Sequence, residues 1–424
     1  MVGSHLGAAD ALAAGIACPA SVASSRAVVQ GAWRFLNNEA VTLAALVEPM
    51  RQLARERVQT VRAPFTLLVH DWCKLSYNHP NIKPDVVQVT HKTDVGYDLT
   101  AALLVSADDG LPIAPMELQM LTDEGVLSTR EPAPEPVHHL EQVLPTMRAA
   151  VGWGLARELL HVIDREADSV DHFRQWHAAG HKFLVRVDDR VVRWEDPSIK
   201  LSQIAQRLRR RRAFVTQGTA EYRGKKAQLW VAETEVVLNR PARKRLPGKK
   251  GKPGRQISLP GPPLTLRLVV VQLRNAAGKV LAEWLLLSNA PRDWADAAKL
   301  AWCYYWRWKI ESYFKLLKSH GQHLEDWLQQ TGPAIARRLL VASMACMVVW
   351  GLQADESAEA AEFKTLLVRL SGRQTKRTRP HTAPAMLKGL WTLLSMLSVL
   401  QDTNLALLQQ LAHRFLPEFL LDTG

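Results

Sequence analysis

The chain has 424 residues, a formal net charge of +13, an isoelectric point near 9.7 and 47% hydrophobic residues. That hydrophobic share builds a large core and excludes a globally disordered chain, while the basic balance favours a polyanionic partner, nucleic acid or an anionic membrane. The four scattered cysteines, Cys18, Cys73, Cys303 and Cys346, form no Cys-x-x-Cys pair, which argues against a zinc ribbon or a disulfide framework and for reduced thiols in an intracellular compartment.

Residues 1 to about 60 read as Ala-rich helix with an aromatic-basic island, "QGAWRFLNN". The start lacks the cationic stretch and apolar run of a signal peptide. "FTLLVHDWCKLSY" predicts a short buried strand, Phe65 to Val69, with His70 and Asp71 at its C-terminal end. "LTAALLVSADDGLPIAPMEL" predicts two further strands joined by a turn at Asp108, Asp109 and Gly110. "EPAPEPVHH" is a Pro-rich loop, and a helix follows at about 139–157. "LLHVIDREADSVDHF" repeats the earlier pattern, an apolar strand ending at an aspartate, here Asp164; "HKFLVRV" is another strand. Two aspartates at strand ends of one sheet occupy the place where ligands and reacting groups of α/β folds gather.

From about 190 to 290 the chain turns β-rich around two basic tracts, Arg207 to Arg212 and Asn239 to Arg255. The second is too rich in Pro, Gly and Lys to bury a core of its own and predicts a loop or hairpin tip. Beyond 293 the chain reads as helix to its end. The apolar run Leu339 to Leu352 is short for a bilayer and reads as a buried helix. "GKKGKPG" lacks the Lys-Ser/Thr ending of a phosphate-binding loop.

Taken as one α-helix, residues 303–318 put Tyr304, Arg307, Glu311, Lys315 and Lys318 on one face and Trp306, Ile310, Tyr313, Phe314 and Leu317 on the other. One reading is a solvated stripe held by Arg307–Glu311 and Glu311–Lys315 pairs, each contributing about 0.2–0.5 kcal/mol. The other joins Glu311 to Asp71 and Asp164 as three carboxylates for divalent metal of the magnesium type, with the cations holding a polyanion. Asp71 and Asp164 read alternatively as turn or cap acids. Glu166 and Asp168 read as supporting or surface groups, and His320 and His323 as surface residues.

The spacing Tyr304-x2-Arg307-x3-Glu311-x6-Lys318 resembles the signature of the insertion-sequence-four family of bacterial DDE transposases. "VHDWCKLSY" and "VIDREAD" are similar to its two aspartate segments, "QGAWRFLNN" to part of its N-terminal DNA-binding region, and "EWLLLSNAP" to the strand before its catalytic helix. The resemblance runs from about Gln30 to about Gly321. It implies an α/β fold: an RNase H-like mixed-sheet core interrupted by a β-strand insertion, with helical N- and C-terminal regions. The implied segments are 1–60 for DNA binding, 61–190 for the first part of the core, 191–290 for the basic insertion, 291–330 for the catalytic helix and 331–424 for the helical C-terminal region. Only about thirty residues, with one arginine, Arg26, precede "QGAWRFLNN", where the family shows a more basic helix; a shortened N-terminal region is the expectation.

The resemblance further implies cut-and-paste transposition by a DNA-bound homodimer. Asp71, Asp164 and Glu311 would bind two Mg2+ ions, with Mn2+ as substitute. Tyr304, Arg307 and Lys318 would hold a flipped base and nearby phosphate, and Lys315 would be a further DNA contact. Trp284 would stack on DNA, and Arg186 would stand near the active site. Arg209, Arg210, Arg211 and Arg212 read from their charge as phosphate contacts. The partners implied are double-stranded DNA with terminal inverted repeats and target DNA, with no membrane, and the place is the bacterial cytoplasm at the nucleoid. The rival readings are an inactive shortened copy that inhibits transposition by binding DNA or a subunit, and a nuclease without strand transfer.

Overall fold

The computed structural model describes residues 25–78, 82–91, 93–195, 198–245, 256–374 and 381–415. Two N-terminal helices, α1 (Ser25–Leu36) and α2 (Leu43–Gln59), precede a sheet that begins with β1 (Phe65–Ser76), β2 (Val87–Gln88), β3 (Val95–Val105), β4 (Pro112–Thr122) and β5 (Gly125–Ser128). Helix α3 (His139–Val151), β6 (Glu158–Ile163), α4 (Val170–Ala178) and β7 (Lys182–Arg186) follow. Neighbours in the sheet run β5-β4-β3-β1-β6-β7. The first four of these strands pair antiparallel. The β1–β6 and β6–β7 pairs are parallel. An antiparallel meander joined edge to edge to parallel strands, with a helix in each crossover, is an RNase H-like arrangement, and the fold is mixed α/β.

The meander turns at Asp108, Asp109 and Gly110, as the sequence suggested. Gly110 has φ +73°, and a Cβ there would sit 2.3 Å from the Trp306 ring. Only glycine meets both demands. The first strand is longer than its apolar run. It continues through Asp71 to Ser76 because β3 keeps pairing with it as far as Ser76↔Gly96. Asp71 is therefore inside β1 rather than at its end. The parallel ladder with β6 does stop at His70↔Ile163, so Asp71 and Asp164 each follow the last parallel pair.

After β7 come β8 (Val191–Arg193), β9 (Ser198–Lys200), α5 (Leu201–Arg210), β10 (Val215–Tyr222), β11 (Lys225–Leu238), β12 (Ala242–Arg245), β13 (Gln256–Leu259), β14 (Leu264–Arg274) and β15 (Val280–Ser288). The last of these pairs antiparallel with β7, so this segment extends the main sheet in the order β7-β15-β14-β11. In the basic tract 239–255, the flanks pair as the β12–β13 hairpin, and residues 246–255 lie outside the described part.

The chain then enters α6 (Ala297–Trp306), capped by Asp296, whose carboxylate accepts the Lys299 N–H at 2.7 Å. Arg267 of β14, buried and paired with both oxygens of Glu233, donates to the Ala290 and Ala295 carbonyls. Tyr305 donates to the Glu221 carbonyl at 2.9 Å. These bonds tie α6 to the inserted strands. Helix α7 (Trp308–Leu317) follows directly, then α8 (Gly332–Ala354), α9 (Ala358–Leu370), α10 (Ala383–Asp402) and α11 (Leu405–Phe415). Two stretches, Gly332–Ala354 and Ala383–Gln401, are long and apolar enough to cross a membrane. In α8, 78% of the apolar window is buried inside the protein. Thr331 caps α8 and Pro333 lies in its first turn, which extends it well upstream of Leu339. Its Arg337 donates to the Leu36 and Val41 carbonyls, and Arg338 lies over the Trp327 ring at 4.1 Å.

Candidate active site

Side chains alternate across a strand, so His70 and Asp71 point to opposite faces of the sheet. On one face His70 Nε2 meets His161 Nδ1 of β6 at 3.0 Å; burial first, then His181, push His70 down to about 3, so it stays neutral. On the other face stand Asp71 and, just past the end of β6, Asp164. The helix read from the sequence as continuous over 303–318 has a tighter turn in its middle. Arg307 N–H bonds to the Tyr304 carbonyl, and Ile310 N–H to the Arg307 carbonyl, each three residues back and at 3.1 Å. This sets Glu311 in the first turn of α7, where free N–H groups favour a carboxylate.

Arg307, at this turn, points inward. Its side chain is only 4% exposed and reaches three acids: Asp71 Oδ2 at 3.3 Å, Asp164 Oδ2 at 3.6 Å and Glu311 Oε1 at 2.7 Å. Asp71, Asp164 and Glu311, far apart in the chain, thus converge on one guanidinium. The remaining Arg307 Nε is buried and makes no hydrogen bond. Tyr304 donates to Asp164 Oδ1 at 2.8 Å, and Arg186 Nη1 lies 3.9 Å from the same oxygen. The Trp72 N–H donates to Asp71 Oδ1 at 2.9 Å.

The two aspartates differ in charge balance. Burial pushes the Asp71 carboxyl up to about 6; Arg307 and the Trp72 N–H oppose this, while Glu311 and Asp164 add to it. At Asp164 burial also raises, but Arg307, the Arg165 N–H, the Tyr304 hydroxyl and Arg186 outweigh it and hold the carboxyl below its ordinary value. Burial would lower the Arg307 guanidinium, yet Tyr304 and the three acids more than compensate, so it stays charged.

Several expected DNA contacts sit differently in the fold. Tyr304 is 1% exposed and its hydroxyl is engaged by Asp164; Arg307 is likewise turned to the acids, so neither faces solvent. Trp284 is 5% exposed and packs edge-on against Tyr304 at 5.3 Å, so its ring supports Tyr304 and offers no stacking face here. Lys318 donates to the Lys74 carbonyl at 2.8 Å and pairs with Glu325 at 2.9 Å. Lys315 is exposed. The arginine run lies at the end of α5. Arg209 pairs with Glu283 at 3.0 Å and Arg211 with Glu195 at 2.9 Å, and Arg210 and Arg212 are exposed. Trp306, Tyr313 and Phe314 pack into the core, as the helical face predicted.

A second cluster was not singled out from the sequence. His138, His139 and Glu166 place ligand atoms within 4.8 Å of one another, and they are the set among the described residues that does so. The three acids around Arg307 do not close to that spacing. Asp168, also in "DREAD", pairs with Arg190 and accepts the Asp188 N–H at 2.8 Å, fixing the chain after β7.

The oxygen-only donor set of Asp71, Asp164 and Glu311 suits a hard divalent cation, and the buried guanidinium between them shows that the site holds positive charge. Among curated proteins no sequence match was found. The chain is similar to a solved piggyBac transposase, seen by cryo-EM in a synaptic complex with hairpin DNA, at 10% identity and a TM-score of 0.39, over 94% of this chain and 69% of that one. The family model described as "Transposase DDE domain" matches residues 116–348, which include Asp164 and Glu311 and begin after Asp71. That span is more than half of the 424 residues, and the chain belongs to the transposase DDE domain family.

Proposed function

We propose that the chain catalyses metal-dependent cut-and-paste DNA transposition as a member of the insertion-sequence-four group, with Asp71, Asp164 and Glu311 as its catalytic carboxylates. The observation that carries this reading is the convergence of those three acids, from β1, the end of β6 and the first turn of α7, on one buried cation. The three acids would hold two divalent ions, Mg2+ or Mn2+. Bound there, such ions make a water or a 3′-hydroxyl nucleophilic and neutralise the leaving oxygen of a phosphodiester.

The chain's own groups do the rest. Tyr304 holds one Asp164 oxygen in place. The Trp72 N–H orients one Asp71 oxygen and leaves the other facing Arg307. Arg307 offsets part of the acids' charge in the free protein and is the buried cation nearest an entering phosphate. Lys315 and Lys318 flank the same helix; Lys318 exchanges its Glu325 partner for a DNA phosphate. The reaction comprises cleavage at the element end, attack of the freed 3′-hydroxyl on the opposite strand to give a hairpin, hairpin opening and strand transfer. The active form is a homodimer on paired inverted repeats at the nucleoid.

The test is cleavage of DNA carrying the repeats that flank the coding segment, with Mg2+ supplied or removed. Wild type is expected to cut and to join ends to target DNA only with the metal. Asp71→Asn, Asp164→Asn and Glu311→Gln are expected to bind DNA and not cut. Cleavage by any of the three at the wild-type rate refutes the assignment.

A further inference from the structure

The geometry points to a second, nitrogen-rich metal site made by His138, His139 and Glu166, suited to a zinc-class ion and separate from the three acids around Arg307. The ligand atoms lie within 4.8 Å of one another. They come from two elements: His138 and His139 stand where the Pro-rich loop enters α3, and Glu166 lies in the short turn after β6. Two imidazoles and a carboxylate match a borderline transition metal better than Mg2+, and three protein ligands leave a position open.

The surroundings of the cluster are those of a metal centre. His139 turns Nε2 to Glu166 Oε1 at 2.9 Å and has Asp98 Oδ2 3.8 Å from its Nδ1. A ligand histidine commonly has a carboxylate at its other nitrogen, which fixes the ring and strengthens the donor. Asp98 Oδ1 is buried and makes no hydrogen bond. Glu166 is oriented through its second oxygen, which accepts Trp72 Nε1–H at 3.0 Å. The Trp72 ring stacks on His139 at 3.9 Å, and the rings of His138 and His139 are 3.9 Å apart. The Leu140 N–H contact to His138 Nδ1 is long, 3.4 Å, and holds this ring only weakly. His138 and Glu166 are exposed, so an ion enters without unfolding.

The site bears on both aspartate segments. Trp72 follows Asp71 in β1, and Glu166 follows Asp164 by two residues. An ion on His138, His139 and Glu166 pins Glu166 to α3 and to Trp72, and so holds the two aspartate segments at a fixed separation.

The experiment uses the full chain, stripped of metal, carrying Asp71→Asn and Glu311→Gln so that the acids around Arg307 do not compete. Zn2+ titration by calorimetry is expected to give one site per chain, and Zn2+ is expected to raise the melting temperature. Adding His138→Ala, His139→Gln or Glu166→Gln should weaken binding at least about 10-fold and remove the melting shift. Millimolar Mg2+ should leave the Zn2+ isotherm unchanged. The exposed His138→Ala carries the test if His139→Gln fails to fold. Absence of a Zn2+ site in the parent, or equal affinity in parent and variants, overturns the proposal.

Discussion

Asp71→Asn should stabilise the metal-free protein at alkaline pH while removing one of the acids. The Asp71 carboxyl rises from 3.8 to about 6 because it is buried, with 18% of its side chain exposed, beside two other acids. A carboxyl raised on folding contributes stability that is complete below its unfolded value and is lost as pH climbs through its folded value. Integrating proton binding over this window puts the cost of ionised Asp71 at about 1 kcal/mol at pH 4.5 and about 3 kcal/mol at pH 8. Asparagine removes that cost but cannot accept from both Trp72 N–H and Arg307, a loss of about 1 kcal/mol. The net expectation is near-equal stability at pH 4.5 and about 2 kcal/mol in favour of Asp71→Asn at pH 8. Urea unfolding in EDTA at both pH values measures this, and groups shared by the two proteins cancel in the difference. A gap that fails to widen with pH, or a variant less stable at pH 8, refutes the account of Asp71 as a buried, cation-hungry acid. Mg2+ should narrow the gap at pH 8, because it favours the charged carboxylate that only wild type possesses.

Four other outcomes follow from the same contacts. Tyr304→Phe loses the hydrogen bond to Asp164, so cleavage should fall with a stability change of about 1 kcal/mol, read by single-turnover cutting and urea unfolding. Arg307→Gln leaves three acids around an uncharged group and should cost about 3 kcal/mol, toward the low end for a broken buried pair because Glu311 is partly exposed; acidification toward pH 5 should recover part of it as Asp71 takes a proton. Gly110→Ala forces a Cβ into the Trp306 ring at positive φ and should cost about 2 kcal/mol or more, seen as a lower melting temperature. Trp284→Ala should destabilise by about 3–5 kcal/mol, whereas Trp284→Phe should retain DNA affinity in a gel shift if the ring serves to pack Tyr304.

The parts of this fold legible in the sequence are those written in local patterns. The strand leading to Asp164, the turn at Gly110 and the core face of Tyr313 and Phe314 each follow from a run of apolar residues and its punctuation. What stayed hidden depends on pairing between distant segments. The strand containing Asp71 reads as ending there because its apolar run stops, yet β3 holds it extended for five more residues. The break at Arg307 has no glycine or proline to mark it in the sequence. His138 and His139 look like loop residues until β6 brings Glu166 to them.

Glu311, the single acid among residues 303–318, shares its cation with two distant acids. In the sequence reading Glu311 balances Arg307 and Lys315 on a solvated face. In the fold Arg307 is buried and is the shared counter-ion of Asp71, Asp164 and Glu311. Three carboxylates held together without a cation repel one another, and burial magnifies the repulsion. Burial keeps the Asp71 carboxyl pushed up to about 6 even with Arg307 at 3.3 Å, and Glu311 and Asp164 add to the push. Under the proposed function the acids would attract a divalent ion, and Arg307 would then stand as a cation beside the reacting phosphate. On that reading the same residue would offset the acids in the free protein and, once they are otherwise neutralised, meet the DNA.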